Sequence, residues 1–240
     1  MKNQLRAADV EGRISGRFPL GSLSPDRVDA EFERILAEAV TVEPGTFHDT
    51  EELELARDPE ARRRVEEERY SKARPLYARD LIGAYELFRE RVYSPKRVLY
   101  PGCDLDASPV RAFPRAKVDL VDINALAIGA LNRNGVNAIH SDIRQYKPEQ
   151  LYDLLILLNP GVSSDKTTCF LDSKGYVLAN DWHRNASQLV EDKSFKPLGT
   201  IVFKPKRVGP NKFDREPNLK LGEVIGLGEV ADNFWIFRRK

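Results

Sequence analysis

Apolar residues fall along this chain in two rhythms. Up to about residue 95 they recur at helical spacing; from Arg97 onward they come in short runs set off by turn residues. Residues 1–23 read as an irregular arm, with Arg6, Arg13 and Arg17 charged and Gly16 and Gly21 weakening any helix. Ser24-Pro25-Asp26 is a helix start: a capping side chain, proline at the first helical position, then an acid. Val28, Phe32, Ile35 and Ala39 follow at helical spacing and predict one buried face, and Pro44-Gly45 ends the segment. Asp58-Pro59 is a second start of the same kind. It leads into Arg62–Tyr70, whose only sizeable apolar residues are Val65 and Tyr70, so a solvated helix is predicted. A third helix is expected from about Leu76 to Val92. Leu81, Ala84, Phe88 and Val92 form its stripe, Tyr77 and Tyr85 read as core beside it, and Ser94-Pro95 closes it.

The second rhythm predicts strands alternating with helices. Val98–Tyr100 is a short apolar run stopped by Pro101-Gly102, and Val118–Val121 is another, ending on Asp122. A helix is expected over Ala125–Asn134, ended by Asn134-Gly135, then a strand over Val136–His140. Tyr152–Leu158 is continuously apolar, as a strand covered on both faces would be. Gly175–Ala179 reads as a fifth strand, with a helix from about Arg184 to Glu191 after it. Thr200–Phe203 and Phe234–Phe237 follow, joined by a long connection punctuated by glycine and proline. The alternation implies an α/β chain with a doubly wound, mostly parallel sheet, those last two strands being its antiparallel pair. Residues 1–95 are expected to form an arm and helical cap, and 96–240 the sheet domain.

Composition narrows the partners. The 240 residues carry 38 basic and 37 acidic side chains, a formal charge of +1, so bulk attraction to nucleic acid or an anionic membrane is not expected. No apolar run reaches the length of a membrane span, and Met1–Val10 lacks an apolar signal core. Cys103 and Cys169 have no metal spacing, and His48 and His140 no evident partners. A cytoplasmic, metal-free protein is expected.

Asp122 stands twenty positions after Gly102. A strand, a glycine turn and a second strand ending in an acid form a nucleotide-binding half-unit, in which the turn backbone approaches the ligand and the acid accepts from ribose hydroxyls. The single glycine excludes a dinucleotide fingerprint, and a turn without lysine excludes a P-loop. The run Val98-Leu99-Tyr100-Pro101-Gly102-Cys103-Asp104-Leu105-Asp106 resembles the first motif of the class I S-adenosylmethionine-dependent methyltransferases, with Gly102 as the first glycine. Asp104 and Asp106 stand at the second and third glycine positions, and Tyr100 where the family often has an acid. Such an Asp side chain either crowds the cofactor or faces its methionine ammonium. The resemblance spans roughly Arg97 to Lys240 and implies a Rossmann-like methyltransferase sheet with S-adenosylmethionine as cofactor.

The resemblance also distributes roles. Asp122 would hold the ribose and Ile123 lie against the adenine. Asp142 would accept from the adenine amino group and Ile143 offer a backbone amide. Gly102 would let the cofactor approach the backbone, Cys103 would add a backbone contact, Tyr100 would also belong to the cofactor site, and Asp104 and Asp106 would stand beside the ammonium and sulfonium. Asn159-Pro160-Gly161 resembles the Asn-Pro-Pro type of fourth motif, which gives Asn159 a cofactor-side and an acceptor-side role. Asn180, Trp182 and His183 follow the fifth strand on the rim that faces the acceptor, with His183 as candidate base. The function implied is methyl transfer to an unidentified acceptor, a small molecule in preference to protein or nucleic acid. The alternative is a methyltransferase-like binding or scaffold protein without turnover.

Overall fold

The structure is a computed structural model, and it describes residues 59–158, 160–209, 212–225 and 233–240. The arm and the helix start at Ser24 lie outside the described residues. By its contacts the chain divides into Met1–Arg62 and Arg63–Lys240. Two helices precede the sheet, α1 (Pro59–Ser71) and α2 (Arg79–Arg91). The sheet then follows as β1 (Arg97–Pro101), α3 (Ser108–Ala112), β2 (Lys117–Asp122), α4 (Ala125–Arg133), β3 (Ala138–His140) and β4 (Tyr152–Leu157). After two single 3-10 turns come β5 (Leu171–Ala179), α5 (Asn185–Glu191), β6 (Phe195–Gly209), β7 (Lys212–Leu221) and β8 (Phe234–Arg239).

The sheet has eight strands in the order β3-β2-β1-β4-β5-β8-β6-β7. The first five are parallel; β8 runs antiparallel to both β5 and β6, and β7 antiparallel to β6. Chain order reverses at β1, with β2 on one side and β4 on the other, which is the switch point where open α/β sheets bind ligands.

Alternation along each strand sorts side chains into two cores. Val98, Tyr100, Leu120, Leu154, Ile156, Leu178 and Ile236 point to one face, covered by Ala84, Tyr85 and Phe88 of α2 and Ile128 and Leu131 of α4. Leu99, Val121, Leu155, Leu157, Val177, Trp235 and Phe237 point to the other, covered by Ala186 and Leu189 of α5 and by Ile143. Both faces are buried, so the middles of the inner strands, such as Val98–Tyr100 and Leu154–Leu157, are apolar on both sides.

Three sequence expectations change. Leu76, Tyr77 and Ala78 are not helical, because their backbone runs beside the β1–α3 turn: Leu76 N donates to Leu105 O at 2.8 Å, Ala107 N to Leu76 O at 2.9 Å, and Ala78 N to Ser108 Oγ at 3.0 Å. The fifth and sixth strands are longer than their apolar runs. The connection between β6 and β8 contains a further strand, β7, which pairs with β6 from Gly199 to Gly209. Its sequence alternates polar Asp214, Glu216, Asn218 and Lys220 with Phe213, Arg215, Pro217, Leu219 and Leu221, but the arginine and the proline interrupt the apolar set; it is an edge strand, where charge and proline discourage pairing with another chain. Gly83 of α2 lets β7 approach, since a Cβ there would stand 3.2 Å from Pro217 Cγ. Arg215 then pairs with Asp80 of α2 at 2.5 Å.

The solvated-helix reading of α1 holds: its pairs Arg63–Glu67 and Glu68–Lys72, both at 2.8 Å, are exposed i,i+4 contacts. Among the described residues no helix is long and apolar enough to cross a membrane.

Candidate functional site

Parallel strands end together, so the polar residues that follow β1 to β5 share one edge of the sheet. Registers of Pro101 with Val121, Asp122 with His140, and Leu157 with Ala179 align those ends. Gly102, Ile123, Ser141 and Asn180 each stand directly after a strand on this edge. Asn159 belongs there by sequence and lies outside the described residues.

The turn after β1 is built around left-handed backbone. Gly102 has φ 68° and Asp104 φ 44°. Gly102 N also donates to Val121 O at 2.8 Å, which ties the turn to β2. Asp is among the few non-glycine residues that tolerate left-handed geometry, so it can stand where the resembling motif has glycine. Here the conformation is held by Asp122, whose Oδ2 accepts from Asp104 N at 2.8 Å and whose Oδ1 accepts from Asn124 N at 2.8 Å. Asp122 is half-buried, so each of its oxygens keeps lone-pair capacity for a further donor.

Two residues that the sequence reading passed over complete this cluster. Asn124 caps α4, its Oδ1 accepting from Leu126 N at 3.0 Å and Ala127 N at 3.2 Å. An Asn immediately before a helical run was the available signal. Tyr70, at the end of α1, donates its hydroxyl to Asp104 Oδ1 at 2.8 Å and accepts from Asn124 Nδ2 at 3.0 Å. A single buried aromatic on an otherwise charged helix gave no hint of its target. Burial, with Asp104 next, pushes the Tyr70 hydroxyl pKa above its ordinary value and keeps it a donor.

The remaining candidates divide. Asp106 turns inward and is 8% exposed: Oδ2 accepts from Tyr100 OH at 3.1 Å and Oδ1 from Ser108 N at 2.8 Å. Burial raises its pKa, against the lowering effect of those hydrogen bonds. Tyr100 and Cys103 are buried, and burial pushes both pKa values up, so the Cys103 thiol stays protonated. Ile123 is 66% exposed at the rim, an apolar face open to a flat ligand. Asp142 is engaged by its neighbour, accepting from Arg144 Nη2 at 2.6 Å, and Arg144 holds its pKa low. Ile143 buries its side chain in the second core.

After β5, Asn180 Oδ1 accepts from Trp182 N at 3.3 Å, and Asp181 caps α5 through Ser187 N at 2.8 Å and Ser187 Oγ at 2.6 Å. Trp182 is exposed beside them. Crowding by the protein lowers the His183 pKa, which favours the neutral imidazole. Asn185, at the start of α5, is wholly buried, and neither atom of its amide has a partner among the described residues. Among the described residues no group of three or more His, Cys, Asp or Glu could hold a metal.

No protein-family model matches the chain, and no curated protein matches it. Solved structures similar to it include the N-methyltransferase NodS from Bradyrhizobium japonicum WM9 in complex with S-adenosyl-l-homocysteine, 15% identical over 78% of this chain and 90% of that one, with a TM-score of 0.44. The plantazolicin methyltransferase BpumL in complex with SAH is 11% identical over 76% of this chain and 91% of that one, with a TM-score of 0.44. The aTrm5 protein in complex with tRNALeu is 17% identical over 70% of this chain and 48% of that one, with a TM-score of 0.44. At such identities no functional residue transfers from them. The strand order, both covered faces and the helices before β1 are this chain's own, and they make it a doubly wound, mostly parallel Rossmann-like sheet with a helical extension.

Proposed function

We propose that this protein is an S-adenosylmethionine-dependent methyltransferase acting on a small-molecule acceptor. The observation that carries the reading is the charge of the switch-point rim. Asp104 and Asp122 stand there as neighbouring carboxylates, and among the described residues neither has an ion-pair partner. Phosphate-bearing nucleotides would be repelled by such a rim. A nucleoside carrying an ammonium and a sulfonium would be attracted, by about 1–4 kcal/mol per close pair at intermediate dielectric.

The residues present fit that ligand. Gly102 presents backbone without a side chain, Asp122 has acceptor capacity left for ribose hydroxyls, and Ile123 offers an exposed apolar face for adenine. Asp142, with Ile143 beside it, flanks the adenine side. The cofactor, when bound, supplies an activated methyl group on sulfur. The chain's share is to align and dry the site, which provides much of the rate in such transfers. On the acceptor side Asn159, Asn180 and Trp182 would bind and orient, and a neutral His183 would take the acceptor's proton at a ring nitrogen.

Calorimetric titration with S-adenosylhomocysteine tests the reading, with binding in the micromolar range expected. A second reading, a binding or scaffold protein without turnover, is favoured by one feature: both oxygens of Asp122 and one of Asp104 already accept from the protein. No heat and no thermal shift at millimolar ligand would leave that reading in place of the enzyme.

A further inference from the structure

Among the described residues of α1 only Tyr70 is buried, at 6% exposure. Burial of its ring accounts for the attachment of the helix. It does not account for the hydroxyl, which could have faced water but ends on the carboxylate of the turn.

The direction of the hydrogen bonds is determined. Asn124 Oδ1 is committed to two backbone N–H groups of α4, so Asn124 presents Nδ2 to Tyr70. The tyrosyl oxygen must accept there, and its only proton goes to Asp104 Oδ1. Asp104 N and Asn124 N in turn converge on Asp122. Tyr70, Asp104, Asp122 and Asn124 thus form a closed ring of hydrogen bonds joining α1 to the ends of β1 and β2. Asp104 Oδ2 accepts from no donor among the described residues, so the ring fixes one oxygen and leaves the other to a ligand.

We infer that Tyr70 is a positioning residue for the cofactor's amino-acid end: its hydroxyl orients Asp104 so that the free Oδ2 receives the ligand's ammonium. The inference rests on the methyltransferase reading above. It concerns a residue on helix α1, outside the glycine turn, and it gives the Asp at the second glycine position a use that glycine could not have.

The test is clean because the segment after Tyr70 is held independently. Arg133 Nη2 donates to Tyr70 O at 2.8 Å, Asn134 Nδ2 to Ala73 O at 3.3 Å, and Leu76 N to Leu105 O at 2.8 Å. Tyr70→Phe keeps the buried ring and these contacts and removes only the hydroxyl. The full-length chain is titrated with S-adenosylhomocysteine and with 5′-methylthioadenosine, which has the nucleoside and thioether but no amino-acid end. Expected for Tyr70→Phe is about a fivefold loss for S-adenosylhomocysteine, the effect of one ordinary hydrogen bond, and less than about twofold for methylthioadenosine. Asp104→Asn should show the same selectivity, and the double variant should lose no more than Asp104→Asn alone, since the two act through one carboxylate. Equal losses for both ligands would assign Tyr70 a purely structural role and overturn the inference. So would an unchanged affinity for S-adenosylhomocysteine in Tyr70→Phe while the wild-type protein binds it. Failure of the wild-type protein to bind either ligand would overturn the methyltransferase reading itself, and the inference with it.

Discussion

Asp122 is where stability and ligand binding meet, and Asp122→Ala separates them. The carboxylate accepts two backbone N–H groups, from Asp104 and Asn124, each at 2.8 Å. A hydrogen bond to a charged group is worth about 1.5–3 kcal/mol when buried. Asp122 is half-buried and water can reach part of what is lost, so about 2 kcal/mol for the pair is the reasonable total. In a domain of this size that lowers Tm by about 4–8 °C. The left-handed Asp104 also loses its backbone anchor, so the turn loosens as well. Ligand affinity should fall separately: loss of the ribose acceptor costs roughly 1.5–3 kcal/mol, or about ten- to a hundredfold in Kd. Thermal unfolding without ligand reads the first quantity, and titration of the folded variant with S-adenosylhomocysteine the second. Asp122→Asn keeps one acceptor oxygen but turns an amide N–H toward a backbone N–H, so it should lie between Ala and wild type in Tm. An Ala variant with wild-type Tm would refute the two-bond account of the turn. Wild-type affinity at reduced Tm would show that the ribose is held by another group.

Further predictions rest on particular contacts. Gly199→Ala should destabilise by about 2 kcal/mol or more, because its Cβ would stand 2.3 Å from Lys220 O and 2.9 Å from Leu221 Cα, both backbone atoms that cannot move aside cheaply; denaturant unfolding checks it. Tyr152→Phe removes the hydroxyl that donates to the buried Asp119 at 2.6 Å and should cost about 1–3 kcal/mol in the same assay. Asp106 has a folded-state pKa above its unfolded value, so its contribution to stability is present at acid pH and is lost as pH rises through the raised pKa. Asp106→Asn should therefore gain in Tm relative to wild type as the pH goes from about 4 to 7, and a constant difference would refute the assignment. Asn185→Leu removes a buried amide that has no partner among the described residues and should raise Tm, while a drop in methyl transfer in the same variant would place that amide in the site.

The rim residues were legible in sequence because each follows a strand that can be recognised from its apolar run. Pro101-Gly102, Asp122 and Asn180 mark chain ends of β1, β2 and β5, and once the strands are parallel they share one edge without further information. Helix α2 was legible from Ala84 and Phe88, four apart and both wholly buried. Its start was not: Leu76 to Ala78 have helical composition, but their backbone partners are Leu105 and Ser108, almost thirty residues away. Strand β7 was hidden for the opposite reason. Its alternation of Phe213, Pro217, Leu219 and Leu221 with polar residues is broken by Arg215, and a proline and a high share of charge read as a connection, although an edge strand tolerates both.

The sequence by itself determined the alternation of strands and helices, the glycine at the first turn and the acid at the end of the second strand. These follow from local rules: apolar periodicity, turn chemistry, and the backbone freedom of glycine. Only the tertiary structure decided which way the acids point. Asp104 and Asp106 are two positions apart on one turn, yet one is exposed at the rim beside Tyr70 and the other is buried against Tyr100. Their fates differ because Asp104 meets Tyr70, thirty-four positions away on α1, while Asp106 turns into the core against Tyr100 and Ser108. A side chain's hydrogen-bond partner is set by position in space, and sequence spacing carries that information only when the partner lies on the same element.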